Sequence, residues 1–459
     1  MLSVATVVPA AARSNKEITF PPFNRGNAPL PRPLQRCYRD GSASVFLMPK
    51  ILPIPSDTLT SLPINHTLMI DPHTQAFIRE HATDDVRTLA LQAARYPQVD
   101  MRVAATQIEG RRIATTKLPA WAATEGLVYP VRLSMEQCSS EVTARYKASL
   151  IEGQRLADLT GGFGIDCSYM SDRFAATTYI ERNEELCRIA THNFALLGKS
   201  ITVVHGNSTD LLATLPPHDW IFVDPARRDG VGNKVVALSD CEPDVSHLEP
   251  LLLQKASRVM IKCSPMLDIS QALRELRFVS EVHVVSVNNE CKELLLILDG
   301  AATSDEPTIH AVNFHGATLQ AFHYTAADEA AAQCSYTATV ERYLYEPNSS
   351  LMKAGCFRLP AQRWGLKKLH RNTHLYTSDL LVEEFPGRIF EIKSIDGFGK
   401  NELKRLTSEV KKANLAVRNF PERPEVLRKR LKISDGGDIY LFATTLHDER
   451  RVIVRCVKC

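Results

Sequence analysis

Asp158-Leu-Thr-Gly-Gly-Phe-Gly164 is the stretch on which the reading of this 459-residue chain turns. The apolar run Leu156–Leu159 leads into it and a helical pattern follows, so the glycines occupy a strand-to-helix turn. A turn that brings its backbone close to a ligand needs residues without Cβ, which Gly161, Gly162 and Gly164 supply beside Thr160. The next β-like run, Thr177–Glu181, ends in an acid 23 residues after Asp158. A carboxylate there can accept hydrogen bonds from both hydroxyls of a ribose. NAD and S-adenosylmethionine share that ribose chemistry. Asp158, placed before the glycines, would repel a pyrophosphate and suits a cationic methionine moiety. A third strand, Ile201–His205, is followed by Gly-Asn207-Ser208, where Asn207 and Ser208 are candidates for the adenine edge or, equally simply, for a turn.

Working outward, apolar runs alternate with helical stretches from Arg155 to Leu298. Further strands are expected over Trp220–Asp224, Arg258–Cys263, Val282–Val287 and Glu293–Leu298. Helices between the early strands imply a mostly parallel sheet covered on both faces, and the short Asn288–Lys292 link makes the last two an antiparallel pair. In open α/β sheets ligands bind beyond the carboxyl ends of the strands. The fourth strand delivers Asp224-Pro225-Ala-Arg227-Arg228 to that edge. An aspartate followed by proline gives a fixed carboxylate that can orient an attacking amine or take its proton. Arg227 can stack on a base or grip a phosphate, and Arg228 can grip a phosphate or pair with an acid. Asn288, Asn289, Glu290 and Lys292 are expected to border a substrate pocket at the same edge. Gln137, Ser139 and Lys147, on a helix predicted over Ser134–Ile151, are expected to flank the cofactor. Capping or surface roles compete for each of these residues.

The glycine stretch, Ile-Glu181-Arg-Asn and Val-Asp224-Pro-Ala-Arg-Arg resemble bacterial class I S-adenosylmethionine-dependent methyltransferases that carry a small ferredoxin-like domain and a C-terminal THUMP-like domain. Ser134-Met-Glu-Gln-Cys-Ser-Ser-Glu141, Tyr343-Leu-Tyr-Glu-Pro-Asn348 and Leu366-Lys-Lys-Leu-His-Arg-Asn-Thr-His374 extend the likeness from about residue 69 to the end. The resemblance implies a doubly wound, Rossmann-like α/β sheet with a reversed seventh strand, S-adenosylmethionine as cofactor, and an RNA base as substrate. Amine methyltransferases of the wider class carry an aromatic residue after Asp/Asn-Pro-Pro, whereas this chain has Ala226 and Arg227. Pyrimidine C5-methyltransferases resemble it instead at Asp-Pro-x-Arg and use a strand-end cysteine, here Ile261-Lys262-Cys263-Ser-Pro265. Cys263 is therefore a candidate nucleophile, with Lys262 placed to favour its thiolate; a cysteine simply filling a strand end is the competing reading.

Around this core the chain divides by composition. Residues 1–68 are rich in proline and poor in periodicity, so they are expected to be a disordered extension, with Met69 as a candidate working start. Residues 69–151 read as an N-terminal helical domain, with a helical pattern over Asp71–Tyr96, and 152–300 as the methyltransferase domain. Residues 301–340 read as a β connection containing Ile309–Phe314 and Leu319–Tyr324. Two small α+β modules follow, ferredoxin-like over 341–386 and THUMP-like over 387–459. The last of these holds 17 Lys+Arg against 10 Asp+Glu, a basic balance that suits a polyanionic partner such as RNA.

An odd count of 11 scattered cysteines argues against a disulfide framework and for reduced thiols in the cytoplasm. Cys456 and Cys459 form a lone C-x-x-C without a second pair, so no metal site is expected. No apolar run reaches the roughly 18–20 residues that span a bilayer, so no membrane partner is expected. The same motifs leave room for a methyltransferase acting on protein or a small molecule, and for a catalytically silent RNA-binding protein. A nucleotide-cofactor oxidoreductase is disfavoured by Asp158 and by the reversed last strand.

Overall fold

Continuous runs of β-branched and aliphatic residues build the central layer. A computed structural model of the chain describes residues 70–227, 237–302 and 306–459. The expectations for residues 1–68 and for Arg228 lie outside the described residues, as does anything about the Arg227 side chain. Nine strands form the main sheet: β1 (Gly153–Asp158), β2 (Phe174–Glu181), β3 (Ile201–His205), β4 (His218–Val223), β5 (Ala256–Cys263), β6 (Val279–Val287), β7 (Glu290–Asp299), β8 (Thr308–His315) and β9 (Thr318–Tyr324). Their order is β9-β8-β6-β7-β5-β4-β1-β2-β3. β7 runs antiparallel to both β5 and β6, as expected for the reversed seventh strand. The two strands expected in the connection after Gly300 extend this sheet: β8 pairs parallel with β6, and β9 closes the edge antiparallel.

Alternation along each strand divides the core. Ala157, Val223, Ile261 and Leu296 face one side, against the helices α9 (Ser208–Leu212), α10 (Val245–Lys255) and α11 (Ile269–Glu275). Their neighbours Leu156, Phe222, Met260 and Leu295 face the other, under α6 (Glu141–Leu150). Strands buried on both faces have no polar side to show, which is why they read as continuous apolar runs.

The N-terminal layer holds α1 (Pro72–Glu80), α2 (Val86–Leu91), α3 (Met101–Lys117), α4 (Pro119–Ala122) and α5 (Arg132–Gln137). The helical pattern over Asp71–Tyr96 is thus two helices, restarted by Asp85, whose carboxylate caps α2 at Thr88. Likewise the helix predicted over Ser134–Ile151 is divided into α5 and α6, because the Ser140 hydroxyl caps a new helix at Thr143. Two buried amides lock this layer. Gln107 bonds both backbone groups of Tyr129, and Asn193, on α8 (Glu184–Leu196), bonds both of Val128.

The C-terminal modules share one sheet. Its strands are β10 (Tyr343–Pro347), β11 (Lys367–His370), β12 (Thr373–Ser378), β13 (Gly387–Gly397), β14 (Asn414–Arg418), β15 (Ile439–Thr445) and β16 (Arg451–Lys458), in the order β11-β12-β10-β13-β16-β15-β14. Pairing of β10 with β13 joins the two expected modules into a continuous surface. α15 (Lys400–Glu409) and α16 (Pro424–Leu431) cover one face of its second half through Leu403, Leu406, Leu427 and Leu431. α13 (Ser349–Ala354) buries Leu351 in the main core and so docks this sheet on the first. No helix among the described residues is long and apolar enough to cross a membrane.

Candidate active site

The glycine turn joins β1 to α7 (Ile165–Met170). Gly161 N–H bonds the Ile180 carbonyl at 2.9 Å and Leu159 N–H bonds that of Phe222 at 3.0 Å, so the turn is stitched to both neighbouring strands. Tyr179 is wholly buried beneath it and donates its hydroxyl to the Gly162 carbonyl at 2.6 Å. A Cβ on Gly161 would sit 2.2 Å from the Tyr179 ring, and Gly164 combines φ +85° with a Cβ position 2.7 Å from Phe194. The glycines are therefore required by packing as well as by any ligand. Gly161→Ala is expected to cost about 1–3 kcal/mol of stability, since Tyr179 has no space to retreat into. Chemical denaturation checks this, and an unchanged midpoint would show that the ring yields.

Glu181, at the end of β2, holds the turn from outside. One carboxylate oxygen accepts the Gly162 N–H at 2.8 Å and the other accepts the Asn183 N–H at 2.8 Å. Each oxygen keeps acceptor capacity for a further donor. Asp158 is buried and accepts the Thr160 N–H at 3.0 Å. Burial, opposed by that bond, holds its carboxyl well above the usual carboxylate range. Asp158 thus braces the turn from within. Asn207 accepts the Thr209 N–H and hydroxyl as the N-cap of α9, and Ser208 begins that helix, half a turn beyond the same strand edge.

At the end of β4 the Asp224 N–H bonds the Thr160 hydroxyl at 2.6 Å, tying the candidate catalytic loop to the glycine turn. The Asp224 carboxylate, still partly exposed, meets Lys262 Nζ at 2.5 Å. After Pro225, Ala226 and Arg227 form a short antiparallel ribbon with Cys241–Glu242, which fixes the path of this loop. Lys262 also reaches Asp166 at 3.3 Å and the Ser139 hydroxyl at 3.2 Å. Beneath it, wholly buried Lys147 pairs with Glu293 at 2.5 Å and Asp166 at 3.2 Å. Two ammoniums thus face three carboxylates, with Asp224 as the arm that opens to solvent. Burial alone would lower the Lys262 ammonium, but Asp224, then Asp166 and Glu293, hold it well above the ordinary lysine value.

This arrangement corrects the expectation that Lys262 activates Cys263. Successive residues of a strand point to opposite faces, so Lys262 enters the charge network while Cys263 packs with Leu267 and Ile261 in the apolar core. Burial, and next the charge of Asp224, push the Cys263 thiol well up, by more than Lys262 pulls it back, and so favour the protonated form over the thiolate that a nucleophile needs. Ser139 and Lys147 both belong to this charge network, whereas Gln137 is exposed at the end of α5. Asn289 reaches the carboxyl edge, but its amide oxygen accepts the Ser349 N–H at 2.7 Å, so it anchors α13 rather than facing a substrate. Asn288 and Asn289 both adopt positive φ, 51° and 64°, as a two-residue hairpin turn requires. Glu290 and Lys292 pair with each other at 2.7 Å on the exposed side of that edge. Asp166 and Glu293 escaped the sequence reading. A signal for them was Lys262, placed at the end of the apolar run Val259–Ile261, since a buried ammonium demands acids.

The second sheet carries two further features. An open cleft of about 880 Å³ at one end is lined by His370, Arg371, Asn419, Phe420, His447 and Arg451. On the covering helices and their flanks, Lys400, Lys404, Lys411, Lys412, Lys429 and Lys432 are all exposed. Many arginines of this module are spent on carboxylates instead, among them Arg388 and Arg418 on Glu346 and Arg455 on Glu409.

Comparison with known proteins agrees with this architecture. The family model of a ferredoxin-like domain matches residues 343–386, and that of a THUMP-like domain matches residues 387–457. The crystal structure of a "putative methyltransferase" from Porphyromonas gingivalis W83 is 37% identical, covering 84% of this chain and 97% of that one with a TM-score of 0.76. TrmK of M. capricolum, in complex with S-adenosyl-homocysteine, is 14% identical over 35% of this chain and 68% of its own, with a TM-score of 0.26. The methyltransferase yhhF from Escherichia coli, also titled "putative", is 20% identical over 35% of this chain and 85% of its own, with a TM-score of 0.26. No curated protein matches the chain. The chain belongs to the family of that Porphyromonas gingivalis protein, class I methyltransferases that carry a ferredoxin-like domain and a C-terminal THUMP-like domain.

Proposed function

We propose that this protein is an S-adenosylmethionine-dependent methyltransferase that modifies a base in RNA, tRNA or rRNA, in the cytoplasm. The observation that carries the reading is Asp224, whose backbone is tied to the glycine turn by Thr160 and whose carboxylate is fixed by Lys262. The residues suit the cofactor: Glu181 retains acceptor capacity toward a vicinal diol, and Asp158 lies behind the turn that would meet the methionine end. Thr160, Gly161, Gly162 and Gly164 form the floor, with Asn207 and Ser208 at the adenine side. When bound, S-adenosylmethionine supplies an electrophilic methyl carbon whose bonding pair departs with sulfur. Asp224 orients the attacking base nitrogen by accepting one of its N–H bonds, and takes that proton as the new bond forms. Lys262 holds the carboxylate in one rotamer. Pro225 restricts the loop, Arg227 and Arg228 hold the base or its phosphate, and Glu290 and Lys292 flank the entrance.

RNA is favoured by the THUMP-like match and by the six exposed lysines beside it. Transfer of tritiated methyl from S-adenosylmethionine into RNA from cells lacking the protein tests the whole reading. Label is expected in RNA with wild type and not with Asp224→Ala. Absence of label with S-adenosylhomocysteine still bound would reassign the substrate to protein or a small molecule.

Charge reversal at Lys400, Lys404, Lys411 and Lys412 is expected to weaken RNA binding by at least about tenfold. The slope of log affinity against log salt should fall by roughly 3–4, one for each lost phosphate contact. Filter binding across a salt series measures both, and an unchanged slope would remove this face from the RNA interface.

A further inference from the structure

The register of the three strands that extend the main sheet brings histidines into one row. His283 on β6 lies opposite His310 on β8, and His310 lies opposite His323 on β9. Glu281 precedes His283 by two residues and therefore points to the same face. His283 Nε2 stands 3.1 Å from Glu281 Oε2, and His310 Nε2 stands 3.5 Å from the same oxygen. All three donor atoms lie within 4.8 Å of one another. Ligand atoms bonded tetrahedrally to zinc at about 2.0–2.1 Å lie roughly 3.3 Å apart, close to both of these nitrogen–oxygen separations.

We propose that Glu281, His283 and His310 form a zinc site, separate from the methyl-transfer centre and halfway along the strands. Tyr146 on α6 bonds His283 Nδ1 at 2.8 Å, which directs Nε2 toward Glu281 as an outer-shell partner of a metal-bound histidine does. His283 is fully buried and His310 nearly so, while Glu281 is one-third exposed, giving an ion an entry side and a position for water or for the exposed His323. The two rings stack with planes 8° apart and centroids 4.4 Å apart, so both must turn about Cβ–Cγ to share one ion. The ion would clamp β8 to β6 beneath α6, the helix that also carries Lys147.

Untagged protein, stripped with chelator and titrated with zinc chloride in a calorimeter, tests the site. One zinc per chain is expected, with a rise in melting temperature. His310→Gln and Glu281→Gln should each weaken binding by about 10–100-fold, and Tyr146→Phe, which keeps all three ligands, by about tenfold. Cys456→Ser combined with Cys459→Ser should leave binding unchanged. Failure to take up zinc, wild-type affinity in both ligand variants, or loss of binding in the cysteine variant would each overturn the assignment. Methyl transfer by His310→Gln is expected to match wild type.

Discussion

Asp224→Asn is expected to lower methyl transfer by about 10²–10⁴-fold while leaving S-adenosylhomocysteine affinity unchanged. The substitution keeps the shape of the side chain and the Asp224 N–H bond to Thr160, so the glycine turn stays in place. It removes the proton acceptor and replaces an ion pair with Lys262 by a neutral contact. Lys262 retains Asp166 at 3.3 Å, and Asp224 is partly exposed, so the loss of fold stability should be small. Single-turnover transfer measured beside calorimetric binding of S-adenosylhomocysteine separates chemistry from binding. Equal loss of both would mean that Asp224 builds the cofactor site rather than the reaction.

Lys147→Met should be the most destabilising conservative change in the catalytic domain, by about 3–5 kcal/mol at neutral pH. Methionine preserves the length of the apolar stem, but it leaves Glu293 and Asp166 without their nearest ammonium in a wholly buried position. Lys262 then has to serve Asp166, Glu293 and Asp224 together. The pH dependence gives a second signature. Burial pushes the Asp166 carboxyl up, and Lys147, then Lys262, pull it back below the ordinary aspartate range. A lowered folded-state pKa contributes stability above the unfolded value and loses it as the pH falls through the folded one. In Lys147→Met that pull is weakened, so Asp166 takes up a proton at a higher pH in the folded state. The stability gap to wild type should therefore be widest near neutrality and narrow on acidification toward about pH 4. Urea denaturation at a series of pH values measures it. A gap that stayed constant across the series would exclude the carboxylates as its cause. Adding Glu293→Gln should recover part of the loss, which a double-mutant cycle would record.

The two predictions bear on one device. A carboxylate at the mouth of the site is held by a lysine whose own charge is balanced deeper in the protein. Such a group is held immobile without relying on solvent, a condition for acting as acceptor at a defined position. The exposed arm does the proposed chemistry, and the buried members set its direction.

Sequence by itself determined those parts that depend on neighbouring residues. The strand pattern from β1 to β7, the reversed final pair, the glycine turn and the acids at Glu181 and Asp224 are written in continuous apolar runs and in residues at strand ends. Local steric rules read such signals directly. Tertiary structure decided what depends on partners distant in the chain. Whether Ile309–Phe314 and Leu319–Tyr324 made a linker or extended the sheet turned on β8 finding β6, a pairing that no local pattern specifies. The merging of the two C-terminal modules through β10 and β13 is of the same kind. β14, Asn414–Arg418, is a short edge strand whose residues are all half-buried, with Leu415 and Val417 packed toward α15 and α16, and five residues give little periodicity to read. The direction of Lys262, away from Cys263 and toward Asp166 on α7 and Asp224 after β4, follows from which face of β5 the rest of the protein covers with charge. The histidine row needed three registers at once. Spacing along the chain names the residues of a site when one turn holds them, and only the pairing of strands brings together those that the chain keeps apart.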